Sequence, residues 1–167
     1  MILKTWLLHV VVCFSSLTAF SQVDTLQPPF KRFPTLPPIQ LLLRDSTTKY
    51  TKADIPKKKP VLLILFSPDC SHCQQTAEEL MKYREQTKNF HVVMSTLHPI
   101  WQMNEFVTRY KINELENVVV GKDIYYLMPS FYSIKNLPFM AFYNKKGNLI
   151  SVFEGAMSIE KAIKQFE

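Results

Sequence analysis

The chain has 167 residues, of which 47% are apolar and 20% are charged, and its formal net charge is +6. This length suits one globular domain with its own hydrophobic core. The excess of basic residues does not indicate a nucleic-acid-binding protein, because these residues are scattered and aromatic residues are not interleaved with them at the surface-like positions. The basic run Lys57-Lys58-Lys59 falls in a predicted loop and is interpreted as a solvated face.

Residues 1–21 have the features of a secretory signal peptide. Lys4 supplies the charged start, residues 6–14 the apolar region, and Ala-Phe-Ser at residues 19–21 a small-x-small cleavage site. The apolar run is shorter than the about 20 residues that a transmembrane helix needs. We therefore expect an exported protein of the periplasm or cell envelope, with an uncleaved amino-terminal anchor as the alternative.

Residues 22–38 contain five prolines and show no periodicity, which predicts an extended arm or tether. Two short strands are expected next, at residues 39–43 and 50–51, separated by a polar turn. The apolar run Val61–Phe66 is then long enough for a strand that is buried on both faces.

The segment Phe-Ser-Pro-Asp-Cys-Ser-His-Cys at residues 66–73 joins this strand to an amphipathic helix, expected from Ser71 to about Lys88. Ser67 and Asp69 are the candidate caps for that helix.

Two of the three cysteines lie in this segment, and the third, Cys13, lies in the predicted leader. Free N–H groups and the helix dipole at the start of the helix favour the thiolate form of Cys70. Cys73, one turn further along, is close enough to form a disulfide with it. A lone close pair in an exported protein indicates thiol–disulfide exchange, with a static disulfide or a metal clip as the alternatives.

The remaining apolar patterns predict two more strand and helix pairs and a final hairpin. In chain order they give a strand at 90–95, a helix at 100–110, a short strand at 118–120, an irregular helix at 123–132 interrupted near Pro129, strands at 137–143 and 149–153, and a closing helix from Ser158. Trp101 is expected on the apolar side of the helix at 100–110.

This order of elements, with C-x-x-C at a helix start and Leu137-Pro138 at the start of a late strand, resembles the thioredoxin-like superfamily. The leader and the sequence around the cysteines are most similar to TlpA/ResA-type envelope oxidoreductases, especially those of Bacteroidetes. The resemblance implies an α/β thioredoxin-like fold with a central mixed sheet of about four to five strands flanked by helices. It divides the chain into a signal peptide (1–21), a proline-rich arm (22–38) and a thioredoxin-like domain (39–167).

The resemblance also implies roles for individual residues. Cys70 would be the nucleophile, Cys73 the resolving thiol, and Pro138 a cis-proline packed beside them. Leu137, through its backbone, and Asp69 would bind an extended substrate segment; thioredoxin itself has a tryptophan at the latter position. No bound cofactor is required, and the partners would be protein thiols or disulfides of the envelope, with a membrane redox protein as a further candidate.

Four positions near the cysteines depart from the pattern of the superfamily, and two of them are Asp69 and Glu78, which stands near the place of a helix-kinking proline. Ile64 stands where thioredoxin has a buried acid, and Thr76 stands where many TlpA/ResA-type proteins have a glutamate. The proton of Cys73 must therefore pass to another group, with water, Glu78 and Glu79 as candidates.

Other residues that could carry chemistry have simpler interpretations. His72, as an imidazolium beside the thiolate, would make the disulfide more oxidising, or it is an exposed helix residue. His91 and His98 are interpreted as strand-end and loop residues. The methionines outside the leader could suit Cu(I) but sit at core-like positions. The aromatic stretch at residues 125–132 is expected to pack in the core and loops, or to flank a substrate groove.

The sequence therefore predicts an exported thiol–disulfide oxidoreductase that exchanges disulfides with envelope proteins through its Cys-Ser-His-Cys site. Two alternatives are a non-catalytic thioredoxin-fold binding module and a Cu(I)-handling thioredoxin-like protein.

Overall fold

The structure, a computed structural model, describes residues 27–167, so the predicted leader lies outside the described residues. The strands of this part are β1 (Gln40–Leu42), β2 (Lys49–Thr51), β3 (Val61–Leu65), β4 (His91–Thr96), β5 (Val118–Asp123), β6 (Phe139–Tyr143) and β7 (Leu149–Glu154). The α-helices are α1 (Pro29–Arg32), α2 (Ser71–Lys82), α3 (Arg84–Thr87), α4 (Ile100–Arg109), α5 (Leu127–Tyr132) and α6 (Ile159–Ile163). Among these residues no helix has the length and apolar character needed to cross a membrane.

The strands form one mixed sheet in the order β2-β1-β5-β4-β3-β6-β7. Strands β3, β4 and β5 are parallel to one another, and the other pairs are antiparallel. The expected mixed sheet is confirmed, but it has seven strands in the described chain rather than about four to five. The short hairpin of β1 and β2 adds to β5 because Gly121 has no side chain. A Cβ there would lie 2.7 Å from the Cβ of Leu41.

Strand β3 lies at the centre of the fold and is buried on both faces, as its sequence predicts. Each of its five residues is at most 3% exposed. Leu62 and Ile64 face a core cluster built with α2, α4 and α6, whereas Val61, Leu63 and Leu65 face a second cluster built with the arm and α5. Each such apolar side chain contributes about 1.5–3 kcal/mol through burial, so the end of β3 is a rigid base for the turn that leads into α2.

The helix expected from Ser71 to about Lys88 is shorter than predicted. It ends at Lys82. The backbone of Tyr83 leaves the helical region, and the separate helix α3 begins at Arg84. The buried side chain of Asn117 donates to the carbonyl of Thr87 at 2.8 Å, at the end of α3. This contact ends the helical segment before Lys88.

The described part of the predicted arm lies on the domain. A β-bridge joins Thr35 to Asn148, and the N–H of Leu36 donates to the carbonyl of Gly147 at 2.9 Å. Leu36 is buried in the second core cluster, and the ring of Phe30 packs beside that cluster. The boundary between arm and domain at residue 39 stays a prediction.

A buried histidine lies at the end of the sheet where the central strands β3 and β4 begin. His91 is 6% exposed, and its Nε2 lies 2.8 Å from the hydroxyl of Tyr50. Burial and, to a smaller extent, the charge of Lys59 lower the pKa of His91 from 6.5 to about 4. The unfolded chain therefore binds the proton more readily than the folded chain between these two values.

We expect the free energy of unfolding to decrease as the pH falls from about 6.5 towards 4. The measurement is a urea titration at a series of pH values, with His91→Gln as the comparison because glutamine does not titrate. The variant should lose the part of the pH dependence that His91 causes. Equal pH dependence in the two proteins would contradict the assignment.

Candidate active site

The two cysteines lie at the turn that joins β3 to α2. The N–H of Phe66 donates to the carbonyl of Ser95 at 2.9 Å, which extends the sheet by one residue, and the N–H of Cys70 donates to the carbonyl of Ser67 at 3.2 Å. Cys70 itself occupies the N-cap position of α2, in an extended conformation and without a side-chain cap. The first N–H groups of the helix are therefore directed towards the region of the Cys70 thiol.

The prediction that Ser67 or Asp69 caps this helix is wrong. Because Cys70 is the last non-helical residue, both candidates lie too early in the chain to reach the free N–H groups. Asp69 is exposed instead. The turn is closed by Gln74, whose side-chain amide donates to the carbonyl of Pro68 at 2.9 Å.

The two thiols differ in their surroundings. Both are free, but Cys70 is partly exposed whereas Cys73 is 0% exposed. Burial, and secondly a hydrogen bond with Cys70, raise the pKa of Cys73 to about 12, although the backbone N–H of Ser67 opposes this shift. Cys70 is thus the thiol that a partner can reach, and Cys73 is a protonated, sheltered thiol one helical turn away.

The segment that precedes β6 completes the site. The Leu137–Pro138 peptide bond is cis, and the Sγ of Cys70 lies 3.8 Å from the carbonyl oxygen of Leu137. The carbonyl of Pro138 accepts the N–H of Gly155 at 2.9 Å. The structure therefore brings together Cys70, Cys73, Leu137 and Pro138, while their roles stay predictions.

His72 lies between the cysteines in sequence, but its side chain is exposed on the first turn of α2. It borders a pocket of about 210 Å³ together with Glu79 and Met157. Only its backbone carbonyl has a hydrogen-bond partner in the described chain, the hydroxyl of Thr76 at 2.9 Å. The stabilisation of the Cys70 thiolate by His72 stays a prediction.

Glu78 and Glu79, the two side chains predicted as candidate proton acceptors for Cys73, differ in their surroundings. Glu79 accepts the N–H of Ile159 at 2.6 Å and so fixes the start of α6. Glu78 is exposed. Within the described residues, the groups that shift the pKa of Cys73 belong to Cys70 and Ser67 and include no carboxylate.

His98 is part of the site, although its sequence context suggests only a loop residue. Its Nδ1 lies 2.8 Å from the Oε1 of Gln102, and its Nε2 lies 3.0 Å from the hydroxyl of Ser67. Since the amide oxygen of Gln102 can only accept, Nδ1 carries the proton and Nε2 accepts from Ser67. His98 therefore fixes the turn that carries Cys70. The sequence feature that indicates this role is the position of His98 just after β4, because the carboxyl ends of parallel strands meet at one edge of the sheet.

Trp101 lies at the same edge and is 64% exposed. The prediction that it belongs to the apolar side of its helix is wrong, because helical spacing places it with Glu105 and Thr108, which are both exposed. Its ring borders a pocket of about 230 Å³ that Pro68 and Asp69 also line. An exposed tryptophan thus lies beside the turn that precedes Cys70.

A second group of exposed aromatic side chains follows β5. Tyr125 and Tyr126 are 60% and 59% exposed. Asp123 is buried, and its carboxylate accepts the N–H groups of Tyr125 (3.3 Å), Leu127 (3.1 Å) and Met128 (2.8 Å). Asp123 therefore fixes the loop that presents the two tyrosines at the active-site edge.

The predicted interruption of α5 near Pro129 does not occur. Pro129 is the third residue of α5, where the N–H that proline lacks would have no partner within the helix. The helix begins only at Leu127, because β5 continues to Asp123.

The six methionines outside the leader pack against the core as predicted, Met81 and Met157 as partly buried side chains. Met94, Met103, Met128 and Met140 are at most 2% exposed in the two core clusters. Residues 27–167 contain no group of three or more His, Cys, Asp or Glu side chains that could hold a metal ion.

The family of the chain is shown by a sequence model of the thioredoxin-like domain. This model matches residues 48–167, more than half of the chain. No curated protein sequence matches the chain significantly.

Three solved structures illustrate the likeness. A secreted disulfide oxidoreductase of Mycobacterium tuberculosis, homologous to E. coli DsbE, is 18% identical with a TM-score of 0.64, over 76% of this chain and 92% of that one. An exposed lipoprotein thioredoxin of Streptococcus pneumoniae is 21% identical with a TM-score of 0.59, over 78% and 100% of the two chains. The C-terminal domain of a Bacteroides thetaiotaomicron protein assigned as a thiol-disulfide oxidoreductase is 18% identical with a TM-score of 0.63, over 79% and 93%.

At these identities the three structures show a shared fold. The family match covers the cysteine turn, the segment before β6 and the closing helix. The chain therefore belongs to the thioredoxin-like domain family.

Proposed function

We propose that the protein is an exported thiol–disulfide oxidoreductase that exchanges disulfides with proteins of the cell envelope through Cys70 and Cys73. The observation that carries the proposal is the pairing of an accessible and a buried thiol across the first turn of α2. The accessible sulfur lies 3.8 Å from the Leu137 carbonyl, beside a cis-proline. The names of the structural neighbours, which are disulfide oxidoreductases and a thioredoxin, support the same reaction.

In the first step the Cys70 thiolate attacks one sulfur of a partner disulfide. The partner's S–S bond breaks, its second sulfur leaves as a thiolate, and Cys70 becomes linked to the partner in a mixed disulfide. The free N–H groups at the start of α2 stabilise negative charge on the attacking sulfur. Asp69 and the backbone of Leu137 are the proposed contacts for the partner segment.

In the second step Cys73 loses its proton and attacks the sulfur of Cys70. The mixed disulfide breaks, and the partner sulfur that Cys70 had attacked leaves as a thiolate. The protein is left with a Cys70–Cys73 disulfide after two electrons have passed to the partner. The raised pKa of Cys73 keeps it protonated until then, and the leaving partner thiolate or water takes the proton. The reverse sequence oxidises a partner dithiol.

The proposed location is the cell envelope. It rests on the predicted leader at residues 1–21 and on neighbours named as secreted or as an exposed lipoprotein. Within the family, the sequence around the cysteines favours the TlpA/ResA type, with a membrane redox protein as a candidate partner. We assign no cofactor to the proposed reaction.

The experiment is a disulfide-reduction assay with residues 22–167, which contain every element of the described fold. Insulin serves as the substrate and dithiothreitol as the reductant. The Cys70→Ser variant should fall to the uncatalysed rate, because the attacking sulfur is absent. Ser71→Ala changes the neighbouring exposed helix residue and should keep the wild-type rate. Wild-type activity in Cys70→Ser would refute the proposal.

One observation favours a second candidate, a non-catalytic binding module with a thioredoxin fold. Ile64 is fully buried where an acid would serve Cys73, and no carboxylate influences the pKa of Cys73 in the described chain. On this alternative the Cys70→Ser variant would bind its partner as the wild type does, and neither protein would reduce insulin.

Trp101 is proposed as a contact for protein substrates, because it is a large exposed aromatic side chain beside the turn that precedes Cys70, and such side chains are typical of interface hot spots. Replacing Trp101 with alanine is expected to raise KM for a protein disulfide about tenfold, equivalent to about 1.4 kcal/mol of binding. The rate with a small disulfide such as oxidised glutathione should hardly change. Thr108→Ala, on the same exposed face of α4, is the control. Equal losses with large and small substrates would contradict the assignment.

A further inference from the structure

The end of the molecule opposite the cysteines carries a cluster of lysines, here called the lysine pole. Six lysines surround one surface depression of about 340 Å³. They come from three separate segments of the chain: Lys52, Lys57, Lys58, Lys59, Lys145 and Lys146. The sequence does not show that these segments belong together, because it is the fold that brings Lys145 and Lys146 to the other four lysines.

The charge of the lysine pole is not neutralised locally. None of the six lysines forms an ion pair within the described residues, and no acidic side chain lines the depression. The acid nearest in sequence, Asp54, instead accepts hydrogen bonds from the backbone and hydroxyl of Thr51, at 2.8 Å each. The same positive charge reaches inward, because Lys59 lowers the pKa of His91.

Two exposed apolar side chains lie on the chain segments that lead away from the lysine pole. Phe33 is 58% exposed and Ile150 is 45% exposed. The antiparallel bridge between Thr35 and Asn148 brings the two segments that carry Phe33 and Ile150 side by side. These two residues lie three positions from Leu36 and Gly147, which line the depression.

We infer that the lysine pole is a binding surface for bilayers that contain anionic phospholipids. Lysines near such a surface are attracted by its negative potential, and an aromatic and an aliphatic side chain beside them can enter the interface. The inference is independent of whether the cysteines are catalytic.

The features of the lysine pole favour a membrane over a soluble polyanion. Single-stranded nucleic acid is held by aromatic side chains interleaved with basic ones, and no aromatic residue occurs within either lysine run. The apolar pair has a function at a lipid interface but none against a purely charged polymer.

The geometry also leaves the cysteine turn free. The lysine pole lies where β3 begins and the cysteines follow its end, about 17 Å away for a strand of five residues. A membrane bound at the lysine pole would therefore leave Cys70 facing away from the lipid.

The test is co-sedimentation of residues 22–167 with vesicles of phosphatidylcholine containing about one-third phosphatidylglycerol, chosen to give a surface potential of the order that attracts basic segments. The pole variant carries Lys57→Gln, Lys59→Gln, Lys145→Gln and Lys146→Gln. A matched variant carries four equivalent changes elsewhere on the exposed surface: Lys82→Gln, Lys135→Gln, Lys161→Gln and Lys164→Gln.

We expect the partition coefficient of the pole variant to fall at least tenfold, and that of the matched variant to fall less than threefold. Phe33→Ser should weaken the binding that remains at high salt. Equal losses in the two lysine variants would overturn the inference, as would equal binding of the wild type to pure phosphatidylcholine. Binding to heparin at the lysine pole without binding to the anionic vesicles would also overturn it, in favour of a soluble polyanion.

Discussion

Replacing Cys73 with serine is expected to trap the partner protein on Cys70. The buried Cys73 thiol is the group positioned to attack the mixed disulfide, so without it the covalent intermediate lacks its resolving step. We expect the variant to accumulate, in an extract of the cell envelope, as disulfide-linked complexes that disappear on reduction. Nonreducing electrophoresis followed by mass spectrometry would identify the partners.

The matched control for this experiment is the double variant Cys70→Ser/Cys73→Ser, which should form no complexes. The single variant Cys70→Ser should form few, because the remaining thiol is 0% exposed. If Cys70→Ser formed complexes as readily as Cys73→Ser, the assignment of nucleophile and resolving thiol would be reversed or unfounded.

Replacing Asp123 with alanine is expected to lower the free energy of unfolding by about 2–4 kcal/mol. The loss leaves three backbone N–H groups without their carboxylate acceptor, and one of them, that of Met128, is buried. The measurement is a urea titration at neutral pH. Because the same carboxylate holds the loop of Tyr125 and Tyr126, KM for a protein disulfide should rise as well.

Asp45→Ala is the matched control. The Asp45 carboxylate also accepts two backbone N–H groups and a hydroxyl, from Thr47 and Thr48, but in an exposed turn where water can replace it. Its replacement should have a much smaller effect. Similar losses of unfolding free energy in the two variants would contradict the claim that burial of the Asp123 carboxylate makes its hydrogen bonds more stabilising.

The order of strands and helices around the site can be predicted from sequence because the signals are local and strong. The run Val61–Phe66 is too apolar to lie on a surface, and the cysteines follow it directly. Leu137-Pro138 stands at the start of an equally apolar run. These features place Cys70 next to the segment before β6, although Cys70 and Leu137 are 67 positions apart in the sequence.

The rest of the site depends on contacts between distant residues, which a local pattern does not contain. His98 binds Ser67 across 31 residues, and neither residue type signals that contact. The apolar character of Trp101 predicts a core position, whereas its helical phase places it with Glu105 on the exposed face. The sequence pattern predicts a strand at each of the seven places, whereas the sheet of about four to five strands that the resemblance implies is too small. The addition of β1 to β5 depends on the missing side chain of Gly121.

The central claim is that Cys70 and Cys73 form a reversible redox pair, and the most direct test is their reduction potential. Residues 22–167 would be equilibrated in glutathione buffers of graded ratio, and the free thiols counted by alkylation and mass. We expect a two-electron transition between about −120 and −270 mV, the span of known disulfide oxidoreductases. A pair that stays oxidised below about −300 mV, or that never forms a disulfide, would contradict the claim.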